Sequence, residues 1–381
     1  MMCPDDNKRS LSKCWPMSGD YQAEKSGGQL QHLKRVSRIK HIILQNYLHP
    51  WASILGSRHR QLAYFDCFAG PGEYELEGRL VAGSPVIAVN EAIEFLRNRA
   101  HQTLAMYLIE DDPKQVERLV TSLKHLQPYP KHLTVNVFCA NSRSHIPNLL
   151  ESLGTLSPSF FLIDPYGHPL PLPTINGILR RERAEALINL MWFRINMDLS
   201  NPLVQPHLDE LFSNDEWRKQ PFIGMHGAER ENAFLNYFKS RLACAYVLPF
   251  KVRYDVEDTR GGGRTKYYLL HASNHVKAVL LMKEVMWPLG DEEGTFDYSG
   301  ESQGVLISST PTVQELETIL LAEFKGKEVE FDELREQTWM LPLVEKHYRE
   351  VVRRLEGNSV TVRRITSKRT GIRRQDRIRF K

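Results

Sequence analysis

The densest run of residues able to do chemistry is Tyr64-Phe65-Asp66-Cys67-Phe68-Ala69-Gly70-Pro71-Gly72-Glu73-Tyr74, a strand pattern that runs straight into a turn of small residues. Gly70 and Gly72 let a backbone turn tightly and approach a ligand where any Cβ would collide. Phe68 and Ala69 belong to the same loop and are candidate ligand contacts with them. A dinucleotide fingerprint would place a third glycine where Glu75 stands, and a phosphate-cradling P-loop would need a Gly-Lys-Ser/Thr run that is missing. A diphosphate ligand is thereby disfavoured. Asp66 agrees: a carboxylate at the strand end repels phosphate but accepts hydrogen bonds from the ammonium group of an amino-acid moiety, which S-adenosylmethionine carries. A plain strand-to-helix turn is the alternative.

A second carboxylate falls one crossover later. The next strand pattern ends at Ile109-Glu110, where Glu110 can accept from both ribose hydroxyls, while Asp112-Pro113 fits a helix cap better. The Gly72-to-Glu110 distance exceeds the usual ~20 residues, and 75–82 reads as an inserted segment before Gly83-Ser84-Pro85 opens a helix. Asn141 and Ser142, after the third strand, suit either the adenine edge or a helix cap. The fourth strand ends in Asp164-Pro165-Tyr166-Gly167-His168, facing the crevice where open α/β sheets bind ligands. Amino-group methyltransferases place an acidic or amide residue, two prolines and an aromatic there. Here one Pro is absent and Tyr166 arrives a position early, so base-nitrogen chemistry is possible without being specified. His168 reads as a base or as a structural histidine. Asn189, Trp192, Arg194 and Asn196 follow the fifth strand and could shape a substrate pocket, with Trp192 equally suited to the core.

These positions need a scaffold. An amphipathic helix over 33–51, with a stop at His49-Pro50, precedes strands expected over 62–68, 104–109, 133–139, 160–163 and 186–193. Helical windows over 84–98, 113–126, 145–153 and 174–180 alternate with them, which specifies a doubly wound parallel sheet covered on both faces. A helix over 229–243 and a hairpin of 246–256 with 265–272, joined through 257–263, complete the order seen in class I methyltransferases. A Gly- and Ser-rich linker over 297–310 leads to helical windows at 313–324, 331–338 and 342–355 and strands at 360–365 and 377–380, the pattern of a winged helix. The expected organisation is a flexible segment over 1–30, a Rossmann-like methyltransferase-type domain over 31–300 and a basic winged helix over 301–381.

With 41% hydrophobic and 25% charged residues, bulk disorder and a membrane protein are both disfavoured, and the lack of a secretory pattern near the N-terminus predicts a cytoplasmic address. Five cysteines without a CxxC pair fit neither a disulfide framework nor a zinc site; Cys67 and Cys139 are expected to be buried small hydrophobes. The net charge of +4 hides a basic C-terminal stretch: residues 362–381 hold nine Lys or Arg and one Asp, leaving the remainder net acidic. Arg363, Arg364, Lys368, Arg369, Arg373 and Arg374 on the wing favour nucleic-acid contact over a merely solubilising tail, although winged helices also dock proteins.

The strand-and-loop motif at 64–74, Gly83-Ser84-Pro85, Phe161-Leu162-Ile163-Asp164-Pro165-Tyr166-Gly167 and Leu187-Ile188-Asn189-Leu190-Met191 together resemble the three-Cys-motif partner protein family. The resemblance implies a methyltransferase-like fold working with a radical-SAM-like partner that bears the three cysteines, in nucleic-acid modification or repair. Three functions follow as expectations: methyl transfer from S-adenosylmethionine to DNA or RNA, a catalytically silent nucleic-acid-binding adaptor for that partner, or a nuclease whose Asp66, Glu110 and Asp164 gather Mg²⁺.

Overall fold

The structure is a computed structural model that describes residues 35–76, 79–153, 157–254, 263–290, 297–298, 313–364 and 371–381. The expected lead-in, nearly all of the 257–263 connection and most of the 297–310 linker lie outside the described residues, as do Lys368 and Arg369. The described residues fall in two compact units, one drawn from 1–187 and 203–219, the other from 188–202 and 220–381.

The first unit opens with α1 (Arg35–Gly56), which buries Ile39, Ile43, Leu44, Tyr47, Leu48 and Trp51 along one face. The stop expected at Pro50 does not occur. A proline inside a helix loses one backbone hydrogen bond, but side chains on both sides of it are anchored to one buried carboxylate: Tyr47 donates to Glu185 at 2.6 Å and the Trp51 indole at 3.0 Å.

Next come β1 (Gln61–Asp66), the hairpin β2 (Glu73–Leu76) and β3 (Arg79–Ala82), α2 (Ser84–Leu96), β4 (Thr103–Glu110), α3 (Pro113–Lys124), β5 (Leu133–Cys139), α4 (Ser142–Leu153), β6 (Ser159–Ile163), α5 (Leu172–Leu179) and β7 (Ala184–Leu190). The segment read as an insertion is thus an antiparallel hairpin, Glu73 pairing with Ala82. β1 pairs in parallel with β4 on one side and β6 on the other, and β4 with β5. Strands buried on both faces need continuous apolar sequence, and β6 and β7 are buried along their whole length. Phe65 stacks on Phe161 at 4.2 Å and on Tyr107 at 4.6 Å, its partners in register on the two flanking strands, so one aromatic row ties three strands together.

After β7 the chain forms α6 (Trp192–Leu199), α7 (Pro206–Phe212), α8 (Gly227–Ser240), the hairpin β8 (Tyr246–Arg253) and β9 (Thr265–Ser273), α9 (Val276–Met286) and the short β10 (Asp297–Tyr298). The strand expected over 186–193 therefore ends early, because Trp192 turns into a helix and packs on Phe234 at 5.5 Å. The main sheet has the order β10-β8-β9-β7-β6-β1-β4-β5, with β8 and β9 antiparallel.

The C-terminal segment of the second unit consists of α10 (Val313–Glu323), β11 (Glu328–Glu330), α11 (Phe331–Gln337), α12 (Glu345–Leu355), β12 (Val360–Arg363) and β13 (Arg377–Phe380). Its strands pair antiparallel in the order β11-β13-β12. Along β13, Ile378 and Phe380 point into a core with Leu316, Leu320, Phe331 and Val351, while Arg377 and Arg379 alternate outward. Three helices accompany this sheet, whose third strand, β11, the sequence pattern does not include. Among the described residues no helix is long and apolar enough to cross a membrane.

Candidate functional site

The glycine loop hangs from the C-terminal end of β1 between its two parallel neighbours. Cys67 N–H donates to the Leu162 carbonyl at 2.9 Å, Ala69 N–H to the Ile109 carbonyl at 2.8 Å, and Gly83 N–H returns to the Gly72 carbonyl at 2.7 Å. Gly70 and Gly72 have φ of 64° and 84°, the left-handed region that disfavours side chains. A Cβ on Gly70 would lie 2.5 Å from the Tyr74 hydroxyl, and one on Gly72 3.1 Å from both Leu119 and Ser122. Both glycines are obligatory for this turn.

Three carboxylates share this sheet edge, each met differently. Asp66 is 0% exposed and accepts from Phe68 N–H and the Tyr64 hydroxyl, both at 3.3 Å, and from Ser84. Burial pushes its carboxyl up to about 7, against the Ser84 hydrogen bond and with help from the nearby Asp164 charge. Glu110 accepts from Gly70 N–H at 2.8 Å and Asp112 N–H at 3.0 Å, and burial raises its carboxyl above the ordinary value. Asp164 receives Lys40 Nζ on both oxygens, at 2.7 and 2.5 Å. Asp66 and Glu110 end the parallel neighbours β1 and β4, and Asp164 directly follows β6 on the other side of β1.

Lys40, His41 and Tyr74 were not singled out from the sequence, and all three belong to this edge. Lys40 lies one turn before the buried Leu44, on the apolar stripe of α1, and a charge on such a stripe is the signal that could have found it. His41 is buried and its pKa falls to about 4, through burial first and the Lys40 charge second. Its ring lies 6.1 Å from that of Tyr74. Tyr74 and Tyr166 hydrogen-bond to each other, and burial raises the Tyr74 hydroxyl well above its ordinary value. Tyr166 itself is 77% exposed, two residues after Asp164.

Other expected site residues have different duties. Asn141 accepts from Arg143 N–H at 3.0 Å, which is the capping alternative, and the buried Ser142 hydroxyl donates to the Cys67 carbonyl, tying the loop after β5 to the glycine loop. Asp112 caps α3 as expected, accepting from Lys114 N–H at 2.9 Å. Ala69 and Pro165 are buried and Phe68 half-buried. His168 is 8% exposed and stacked on His207 at 5.9 Å, a packed histidine rather than one presented to a substrate. Cys139, expected to be buried, is exposed at the end of its edge strand. In the second unit, Asn189 and Trp192 are buried, Arg194 lies 3.6 Å from Asp198, and Asn196 accepts from Arg230.

In the C-terminal segment, Arg364 makes a bidentate pair with Glu356 at 2.7 and 2.8 Å, and Arg374 reaches Glu345 at 2.9 Å. Arg373 and Arg374 line a cleft together with Glu330, Asp332, Glu333 and Glu336, carboxylates that offset their charge. Arg363, Arg373 and Arg379 are exposed and have no carboxylate partner among the described residues.

The donor set fits an adenosyl amino acid. The left-handed loop leaves backbone space, and the Gln115 Oε1, 4.0 Å from a Cβ position on Gly70, is buried without a hydrogen-bond partner among the described residues. Glu110 keeps lone pairs for hydroxyl donors, since a carboxylate has about four acceptor sites. A carboxylate as buried as Asp66 regains its charge when an ammonium is brought against it. The nuclease expectation fares worse: among the described residues no group of three or more His, Cys, Asp or Glu side chains is arranged to hold a metal ion, and the three carboxylates are engaged by separate partners.

The order β5-β4-β1-β6-β7-β9-β8, with the glycine loop after the central β1, defines a class I methyltransferase-like fold. No family profile matches the chain, and no curated protein is significantly similar to it. Among solved structures it is similar to a Legionella pneumophila protein of the DUF519 family (14% identity, TM-score 0.38, covering 63% of this chain and 85% of that one). It is also similar to YhhF, a provisionally assigned methyltransferase from Escherichia coli (14%, TM-score 0.28, 61% and 86%). A third is the modification subunit of a provisionally assigned type I restriction enzyme from Vibrio vulnificus YJ016 (9%, TM-score 0.28, 60% and 44%). At these scores the likenesses add nothing to what the strand order establishes.

Proposed function

We propose that the chain is an S-adenosylmethionine-dependent methyltransferase acting on DNA or RNA, and that it works with a radical-SAM-like three-Cys-motif protein. The observation that carries this reading is the placement of Asp66, the left-handed glycine loop and Glu110 on adjacent strand ends, with Asp164 and Tyr166 on the next. When bound, S-adenosylmethionine would supply an activated methyl group. Asp66 takes the ammonium, Glu110 the ribose hydroxyls, and Gln115 Oε1 a remaining donor. Asp164 orients an acceptor amine or hydroxyl, and the exposed Tyr166 ring stacks on its base. Catalysis is then mainly positional, an in-line alignment worth several orders of magnitude. The C-terminal segment serves as a winged helix that brings the nucleic acid, Arg363, Arg373 and Arg379 meeting phosphates.

Incubation with radiolabelled S-adenosylmethionine and mixed DNA and RNA tests this. Label should enter nucleic acid and be lost on Asp164→Ala; no incorporation into either polymer, with or without the partner, would contradict it. One observation favours a second reading: Lys40 already neutralises Asp164, as a site retired from catalysis would allow. In that case the chain is an adaptor, recovered with its partner on nucleic acid but without methyl transfer.

A further inference from the structure

At the N-terminal edge of β1 and β4 the turn after α1 and the turn after α2 lie side by side, Thr103 N–H donating to the Arg60 carbonyl at 2.8 Å. They enclose a cavity of about 350 Å³ lined by Arg58, His59, Arg60, Arg99, His101 and Gln102 with small residues, and by no carboxylate. Arg99 is held in place: Nη1 donates to the Phe95 carbonyl at 2.7 Å and its guanidinium stacks 4.6 Å over the Phe95 ring. Arg58 and Arg60 are exposed, with no ion pair among the described residues. Gln102 is 4% exposed; its Nε2 donates to the Gly56 carbonyl at 2.6 Å, which fixes the amide's orientation and leaves Oε1 buried without a partner among the described residues.

Cations also suit helix C-termini, and Arg99 serves α2 in that way. Magnitude decides between the two roles. The C-termini of α1 and α2 carry about half a negative charge each, against three full positive charges on Arg58, Arg60 and Arg99. A cationic excess therefore faces a concavity near the lower end of the range for small-molecule sites, about 300–1,000 Å³.

We propose that this cavity binds a sugar phosphate, the guanidinium and imidazole N–H groups taking the phosphate oxygens and Gln102 Oε1 accepting from a sugar hydroxyl. The source is either a free nucleotide or one unit of a nucleic-acid strand. The site is separate from the glycine loop and does not rest on methyl transfer.

The test uses the full chain and three probes at ~50 mM salt: inorganic phosphate, adenosine monophosphate and a labelled single-stranded oligonucleotide. Wild type should bind the monophosphate more tightly than inorganic phosphate. Combined Arg58→Glu and Arg60→Glu should weaken the nucleotide or the strand about tenfold or more, with the melting temperature retained. Loss confined to the monophosphate identifies a free nucleotide, and loss confined to the oligonucleotide identifies a strand. If charge reversal prevents folding, the milder Arg58→Gln and Arg60→Gln pair replaces it. Failure of wild type to bind either sugar-phosphate probe, or equal affinities for wild type and a folded variant, would overturn the proposal.

Discussion

The two ends of the β1–β4 strand pair carry opposite charges, held in opposite ways. At the C-terminal end Asp66 and Glu110 are buried and hydrogen-bonded by their own chain, with Asp164 paired to Lys40 beside them. At the N-terminal end Arg58 and Arg60 are exposed, and the cavity they line holds no carboxylate. Burial moves pKa values and couples charge to folding, whereas exposed charge costs little stability and acts through attraction. The eight residues of β4, at about 3.3 Å each, put roughly 25 Å between the ends, more than the ~10 Å Debye length at 0.1 M salt. The two ends should therefore titrate and bind independently.

The largest expected effect is the pH dependence set by Asp66. Its folded-state pKa of about 7 lies above the ordinary 3.8, so the stability it contributes is full below about pH 4 and is lost as pH rises through 7, a change on the order of 4 kcal/mol. His41 works oppositely: its pKa of about 4 lies below 6.5, so its contribution is present above 6.5 and lost as pH falls through 4. The two nearly offset over their shared window, roughly 4 against roughly 3 kcal/mol, so urea titrations should show a shallow profile in wild type and, in Asp66→Asn, stability that rises between pH 4 and 6.5. Parallel profiles would place Asp66 in a solvated environment.

Gly72→Val comes next. Its φ of 84° and the 3.1 Å approach to Leu119 and Ser122 should reduce stability by about 3 kcal/mol, read as a lower melting temperature. Lys40→Met leaves Asp164 partly buried without its cation and should cost about 2 kcal/mol. Smallest is Arg58→Ser at the other end, within about 0.5 kcal/mol of wild type in thermal melts; a larger loss would make that arginine structural and erase the contrast between the ends.

The acidic end of this contrast was legible in the chain, and the basic end was not. Asp66-x₃-Gly70-x-Gly72 and Glu110 are local signals, because a strand end and a left-handed turn each demand particular residue types at short spacing. Hidden were partners made by tertiary packing. Lys40 meets Asp164 across 124 residues, and Glu185 holds α1 past Pro50, overriding the local stop signal. Strand ends also slipped where packing decides: Trp192 reads as strand by type, but its contact with Phe234 draws it into α6. The basic C-terminal stretch was visible as composition, while its pairing of Arg364 with Glu356 and Arg374 with Glu345 was not.

Calorimetric titration with S-adenosylmethionine between about pH 5.5 and 8, on wild type and Asp66→Asn, examines the central claim most directly. If the buried carboxylate receives the ligand's ammonium, it must lose its proton on binding. Wild-type affinity should then rise up to about tenfold per unit until pH 7 and level off, with the Asn variant weaker and flat. No heat at millimolar ligand, or equal and pH-independent affinities in the two proteins, would contradict the account.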